Sequence, residues 1–165
     1  MKIKSAIYAR TSSDDKKNPK LSTENQIEAC EKKADLNKYE FAQEHYIELS
    51  LSGSLPPTRW CTKKNKTEKN HRPELERLMA DIDSDSVNAI FVYHTDRLFR
   101  NLEFSVKFYK FLLKRDIELH SATENLSLDG SATSQLHLQM MAILAEYQLT
   151  TTKERILLAK TTQKE

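Results

Sequence analysis

Glycine is nearly missing from this sequence, and its scarcity removes whole classes of function. Gly53 and Gly130 are the only two among 165 residues, so neither a G-x-G-x-x-G turn nor a P-loop can be built. Cysteine is equally scarce: Cys30 and Cys61 form no metal-type spacing and no disulfide framework. That usage suits a reducing cytoplasm, with Cys30 placed as a small hydrophobe in a helix core. No run is long and apolar enough to span a membrane, and the start MKIKSAIYAR leads straight into a strand, not a secretory signal. Nor does one charge dominate: Lys+Arg 26 against Asp+Glu 24 leaves +2. That balance is too mild to establish a nucleic-acid partner, although a basic face can sit within a balanced total. Histidines and cysteines with ligand spacing are absent, so the sequence offers no sign of a metal site.

With 38% hydrophobic and 30% charged residues, the composition fits one globular domain with a single core. Apolar runs alternate with amphipathic ones. "KSAIYAR" (4–10) reads as a buried strand and "STENQIEACEKKADLNKY" (22–39) as a helix lined by Ile27, Cys30, Ala34 and Leu36. "EFAQEHYIE" (40–48) is a weaker strand. "RPELERLMADI" (72–82) predicts a helix with Pro73 in its first turn and Leu75, Leu78, Met79 and Ile82 inward. "VNAIFVYH" (87–94) is the strongest strand signal. A helix over 102–115, a short strand over 117–122 and a long helix from about Ser131 to Lys160 follow.

This order predicts an α/β fold, with a mainly parallel sheet of four or five strands flanked by helices. Parallel sheets present ligands at the carboxyl ends of their strands. Arg10-Thr11-Ser12, the stretch Ser50 to Ser54, and Asp96-Arg97 each follow a strand, so they should meet at one edge. Residues 55–71 are long for an α/β connection and lysine-rich, and read as a loop insertion.

The polar clusters suit phosphoryl chemistry. A hydroxyl needs positioning and proton handling before it attacks, and a phosphodiester needs its oxygens' charge stabilised. Guanidinium does this with a planar, permanently charged fork. The chain offers Arg10 beside Ser12, Arg72 before a helix, and Arg97 with Arg100 in "DRLFR". Three residues apart, Arg97 and Arg100 share a face if helical, and Asp96 could orient them or move a proton. Taken singly, each has an ordinary reading. Arg10 and Ser12 are a strand end and a turn. Arg72 is a surface charge, "TDRLFRN" is a helix start capped by Thr95 or Asp96, and Gln26 completes a capping box with Thr23. Trp60 either anchors its loop or meets a partner. Leu136, Met140, Ile143 and Tyr147 form a core or subunit-interface stripe.

Together, "YARTSS", "LSTENQIEAC", "SLSGS", "RPELERLM" and "FVYHTDRLFR" resemble, in order and spacing, the N-terminal catalytic domain of serine recombinases. The resemblance spans about residues 3 to 155 and leans toward the large serine branch over the small resolvases and invertases. It implies a resolvase-like fold with a long C-terminal dimerisation helix. It also implies that Ser12 is the nucleophile, in preference to Ser13. Arg10, Arg72, Arg97 and Arg100 would hold the scissile phosphate, with Asp96 and Gln26 completing the catalytic set. Glu48, Ser52 with Gly53, Glu154 and Arg155 would support them. The expected chemistry is DNA cleavage and rejoining through a 5′-phosphoserine, without metal or cofactor.

The implied partners are double-stranded DNA recombination sites and a second copy of the chain, paired through the helix from Ser131, with a tetramer on DNA. The division expected is an α/β catalytic unit over 1–130 and an oligomerisation helix over 131–165, cut before a DNA-binding region. A cytoplasmic protein of bacterial, phage or mobile-element origin is expected. Some positions depart from the family. Glu48 stands where aspartate is usual, and Gln148-Leu149 stand where many members have Glu-Arg. A non-cleaving dimerisation or regulatory module is the alternative.

Overall fold

The computed structural model describes residues 3–11, 23–34, 39–41, 45–61, 72–124, 127–128 and 130–162. Its centre is a sheet of six strands in five positions, because two short strands share one edge of the first. Strand β1 (Ile3–Arg10) pairs in parallel with β2 (Tyr39–Phe41) near its start and with β3 (Tyr46–Glu48) near its end. On its other side β1 pairs in parallel with β4 (Ala89–Val92), and β4 with β5 (Glu118–Ser121). The two-residue β6 (Ser127–Leu128) closes the sheet antiparallel to β5.

Side chains alternate across β1, so each face receives its own helices. Ala6 and Tyr8 face α2 (Pro73–Asp83) and α3 (Leu102–Leu113), packing with Leu75, Leu78, Met79, Ile82, Phe108 and Leu112. Ile7 faces the other way, onto Cys30 and Ala34 of α1 (Thr23–Lys33) and its neighbour, with Tyr39 and Phe91. All four residues of β4 are buried, as befits a central strand covered on both sides. The inward faces expected for α1 and α2 are the observed ones; Leu36 lies outside the described residues.

Element ends carry the main differences from expectation. Helix α1 stops at Lys33, and Tyr39 belongs to a strand. The single strand expected over 40–48 is two short strands, with 42–44 outside the described residues. With so little glycine, aspartates take the left-handed residue after two helices: Asp85 at φ 57 and Asp116 at φ 54. The following amides then close the ends, Ser86 N–H on the Asp81 carbonyl at 2.8 Å and Ile117 N–H on Leu112 at 3.1 Å.

Helix α4 (Ala132–Thr162) begins at Ser131, whose Oγ accepts the Ser134 N–H at 3.2 Å. Its 31 residues give a length of about 46 Å. Leu138 and Met141 pack on the core, while Leu136, Met140, Ile143, Leu144 and Tyr147 are each at least half exposed. The stripe singled out in the sequence is therefore not core within one chain. Trp60 is settled the other way: it stacks on Phe99 at 5.8 Å and Phe104 at 6.4 Å, pinning the start of the 55–71 segment to the body. Residues 62–71 lie outside the described set. No described helix is long and apolar enough to cross a membrane.

Candidate active site

Because β1, β3, β4 and β5 run parallel, their carboxyl ends share one edge, and Arg10 sits at its centre. Arg10 is 0% exposed. Its Nε donates to the Arg97 carbonyl at 2.9 Å, Nη1 to the Leu51 carbonyl at 2.7 Å and Nη2 to the Asp96 carbonyl at 2.9 Å. One guanidinium thus ties the turn after β3 to the turn after β4. Gln26 of α1 clamps the same residue's backbone, accepting its N–H at 3.3 Å and donating to its carbonyl at 3.2 Å. Burial lowers the Arg10 pKa and outweighs an opposing effect of Tyr8; the charges of Arg72, Arg97 and Arg100 lower it further. Guanidinium nevertheless stays protonated, so the edge concentrates positive charge.

Thr11 carries the chain from Arg10 toward Ser12. Its N–H bonds the Glu48 carbonyl at 2.9 Å and its carbonyl accepts the Leu51 N–H at 3.0 Å. Ser50, at φ 60, takes the left-handed conformation that swings Leu51 back, and its N–H bonds Thr11 Oγ1 at 3.2 Å. That backbone is costly for a residue with a side chain. Ser12 itself, and Ser13, lie outside the described residues; the structure fixes the residue before them.

Arg72 is also 0% exposed, which overturns its reading as a surface charge. It immediately precedes α2, and its guanidinium reaches back across the sheet. Nε meets Glu48 Oε2 at 2.9 Å, Nη1 the Leu98 carbonyl at 2.6 Å, and Nη2 the Tyr8 hydroxyl. Tyr8 in turn donates to Glu48 Oε2, and Glu48 Oε1 accepts the Leu75 N–H in the first turn of α2 at 3.2 Å. Burial alone would lower the Arg72 pKa, but Tyr8 and Glu48 outweigh it and raise the value. Burial is also the main reason the Tyr8 phenol is pushed far up. Glu48 thus divides its carboxylate: one oxygen serves Arg72 and Tyr8, and the other accepts from the first turn of α2.

The Thr95–Arg97 turn is a short 3₁₀ helix capped by His94, whose Nδ1 accepts the Asp96 N–H at 3.3 Å. Neither Thr95 nor Asp96 is its cap, and α3 has a separate one in Asn101. Asp96 Oδ1 lies 3.3 Å from Arg97 Nε and 3.4 Å from His94 Nδ1. Arg97 is 5% exposed and reaches the Arg10 carbonyl from Nη1 at 3.4 Å. Arg100 falls past the turn and is exposed. The two arginines therefore do not share a helical face: one is inside the edge and the other outside it.

Gly53 explains one of the two glycines. A Cβ there would stand 2.8 Å from Arg10 Nη2 and 3.1 Å from Arg100 Cγ. The Gly53 carbonyl accepts the Arg100 N–H at 2.9 Å, and Ser52 Oγ accepts the Ser54 N–H at 3.2 Å. The Ser52-Gly53 turn thus lies directly on the Arg10 and Arg100 side chains. Glu154 and Arg155 are exposed on α4, whose main packing partners are α3 and β6.

Three residues of this edge were not singled out from the sequence: Tyr8, His94 and Glu124. Tyr8 is two before Arg10 on a strand, so it shares Arg10's face by simple alternation. Glu124 follows β5 as the other clusters follow their strands, and the same rule could have found it. His94 had no local signal. Among the described residues, no group of three His, Cys, Asp or Glu could hold a metal ion.

The chain matches the family "Resolvase, N terminal domain" over residues 5–165. Among solved structures, it is similar to the N-terminal catalytic domain of TP901-1 integrase, with 25% identity, 90% of this chain and 98% of that chain covered, and a TM-score of 0.71. A resolvase family site-specific recombinase from Streptococcus pneumoniae shares the fold at 20% identity, covering 98% of each chain, with a TM-score of 0.73. No curated protein matches the chain. The parallel sheet, the clustered arginines and a family match over almost the full length agree: the chain belongs to the resolvase N-terminal domain family, as a catalytic domain of a serine site-specific DNA recombinase.

Proposed function

We propose that the edge around Arg10 is a DNA strand-cleavage site and that Ser12 is its nucleophile. The observation that carries this is the Arg10 guanidinium, which gathers the carbonyls of Leu51, Asp96 and Arg97 two residues before Ser12. Ser12 Oγ attacks the scissile phosphorus and loses its proton. The P–O3′ bond breaks, and the 3′-oxygen leaves as a hydroxyl after taking a proton. One phosphodiester replaces another, so the reverse attack by a 3′-hydroxyl rejoins DNA without added energy.

The arginines divide the work. Arg100, exposed beside Gly53, and Arg97 behind it meet the phosphate; Asp96 orients Arg97. Arg10 and Arg72, whose donors already hold protein groups, keep the edge in register and place buried positive charge beneath it. Gln26 fixes the Arg10 backbone, and Glu48 holds Arg72. Ser52 shapes the turn over Arg10. Glu154 and Arg155 would act only from α4. The exposed stripe Leu136, Met140, Ile143 and Tyr147 suits a second copy of the chain, the catalytic unit being 1–130 and the pairing segment 131–165, which contains α4. A tetramer on double-stranded recombination sites completes the reading.

The test is Ser12→Ala in the full-length recombinase, incubated with double-stranded DNA carrying its own recombination site. Wild type should give a covalent protein–DNA adduct resistant to denaturant, and Ser12→Ala none. An adduct that persists in Ser12→Ala and vanishes in Ser13→Ala overturns the assignment. A wild type that binds the site without any adduct favours the non-cleaving module.

A further inference from the structure

We propose that Glu124 is a positioning residue of this site, acting on Arg10 through the Thr95–Arg97 turn. The proposal rests on the strand-cleavage reading of the edge, and it concerns a residue to which that reading gives no part.

Glu124 stands just beyond β5 and reaches over to the end of β4. Its Oε2 accepts the Thr95 N–H at 2.7 Å, and its Oε1 accepts the Thr95 hydroxyl at 3.0 Å. Ser121 Oγ, at the end of β5, donates to Oε2 at 2.9 Å and accepts the Glu124 N–H at 3.2 Å. His94 Nε2 lies 3.3 Å from Oε1, while its Nδ1 accepts the Asp96 N–H. One carboxylate therefore holds the first residue of the 3₁₀ turn by backbone and side chain together, and borders the histidine that caps it. An amide at the start of a helical turn has no partner within that turn; Glu124 supplies one with a charged acceptor, the stronger kind.

The opposite side of the same turn faces the arginines. The Asp96 and Arg97 carbonyls accept from Arg10, and the Leu98 carbonyl accepts from Arg72. The turn is thus clamped, with Glu124 gripping its first residue and the arginines its last carbonyls. If the Glu124 grip goes, those carbonyls lose their fixed direction, and Arg10 loses two of its three acceptors. Arg72 is buffered, because Glu48 and Tyr8 hold it independently of the turn. This asymmetry separates a positioning role from general loosening.

The experiment reads the arginine Nε–H groups directly, by hydrogen exchange in ¹H–¹⁵N spectra of the full-length protein. In Glu124→Ala, protection of the Arg10 Nε–H should fall by about 10- to 100-fold, the scale of one charged hydrogen bond. Protection of the Arg72 Nε–H should hold. The rate of adduct formation on the protein's own site should drop by a similar factor, with DNA affinity unchanged. Glu124→Gln should recover most of both, because its amide oxygen can keep the Thr95 N–H while hydroxyl rotors and His94 meet its NH2. Unchanged Arg10 protection in Glu124→Ala overturns the proposal. So does an equal loss at Arg10 and Arg72, which is general loosening. Should Glu124→Ala fail to fold, Thr95→Val removes one hydroxyl ligand and keeps the backbone amide; it must lower Arg10 protection selectively, or the proposal fails. A wild type without adduct defeats the cleavage reading alone, since the exchange readout needs no DNA.

Discussion

Removing Glu48 should cost this domain a large part of its stability. The carboxylate is 2% exposed and receives Arg72 Nε at 2.9 Å, the Tyr8 hydroxyl and the Leu75 N–H at 3.2 Å. Glu48→Ala leaves a fully buried guanidinium without its counter-charge, a change worth about 3–5 kcal/mol. Cation–π contact with Phe99 at 5.0 Å and the Leu98 carbonyl soften the loss but do not neutralise it. For a domain of this size each kcal/mol moves Tm by roughly 2–4 °C, so Tm should fall by about 6–20 °C. Glu48→Gln should be milder, about 1.5–3 kcal/mol, since an amide can keep the Leu75 N–H but turns a donor or a weaker acceptor toward Arg72. Calorimetry with urea titration measures both. Asp83 at the surface is the control, pairing with Arg59 at 2.9 Å and Arg115 at 2.7 Å: Asp83→Asn should cost at most about 1–2 kcal/mol for the two pairs and lose its effect in salt. If Glu48→Ala shifts Tm no more than Asp83→Asn does, the buried-pair argument is refuted.

Tyrosine burial predicts a loss of stability in alkali. The pKa of Tyr8 is raised, that of Tyr46 is raised, and that of Tyr109 is pushed up to about 12, each mainly by burial. Above pH 10, roughly the unfolded value, the unfolded chain releases phenolic protons that the fold retains. Stability from these groups is therefore complete below that pH and falls as pH rises, by up to about 1.4 kcal/mol per unit for each fully retained proton. Urea midpoints from pH 8 to 11.5 should decline, and Tyr109→Phe should flatten the decline; a flat wild-type profile contradicts the argument. The exposed α4 stripe predicts self-association. Wild type should sediment as a dimer and Ile143→Asp as a monomer with an unchanged circular-dichroism spectrum and a Tm that no longer depends on protein concentration, whereas identical sedimentation would remove the stripe from the interface.

Much of the fold was legible because periodicity is local. The stretch 5–9 is an unbroken run of small and apolar residues between Lys4 and Arg10, Leu75, Leu78, Met79 and Ile82 recur at helical spacing, and the strand–helix order implies a parallel sheet. From that alone, the polar clusters after β1, β3 and β4 had to share an edge. Short strands and element ends were less legible: β6 has two residues and depends on β5 for its pairing. α1 stops at Lys33 with no glycine to mark it.

Sequence by itself determined which chemistry collects at the edge, since residue type and strand order are both written along the chain. Tertiary structure decided what each group does there. Arg10 finds its carbonyls 86 and 87 residues away, Arg72 finds Tyr8 at a separation of 64, and Tyr8 finds Glu48 at 40. No local pattern encodes such pairs. They arise because a parallel sheet stacks distant strand ends side by side, and because a buried charge must take the acceptors it meets there. Hence Arg72 and Arg97 became interior residues, Arg100 stayed outside, and Glu124 joined the edge unannounced.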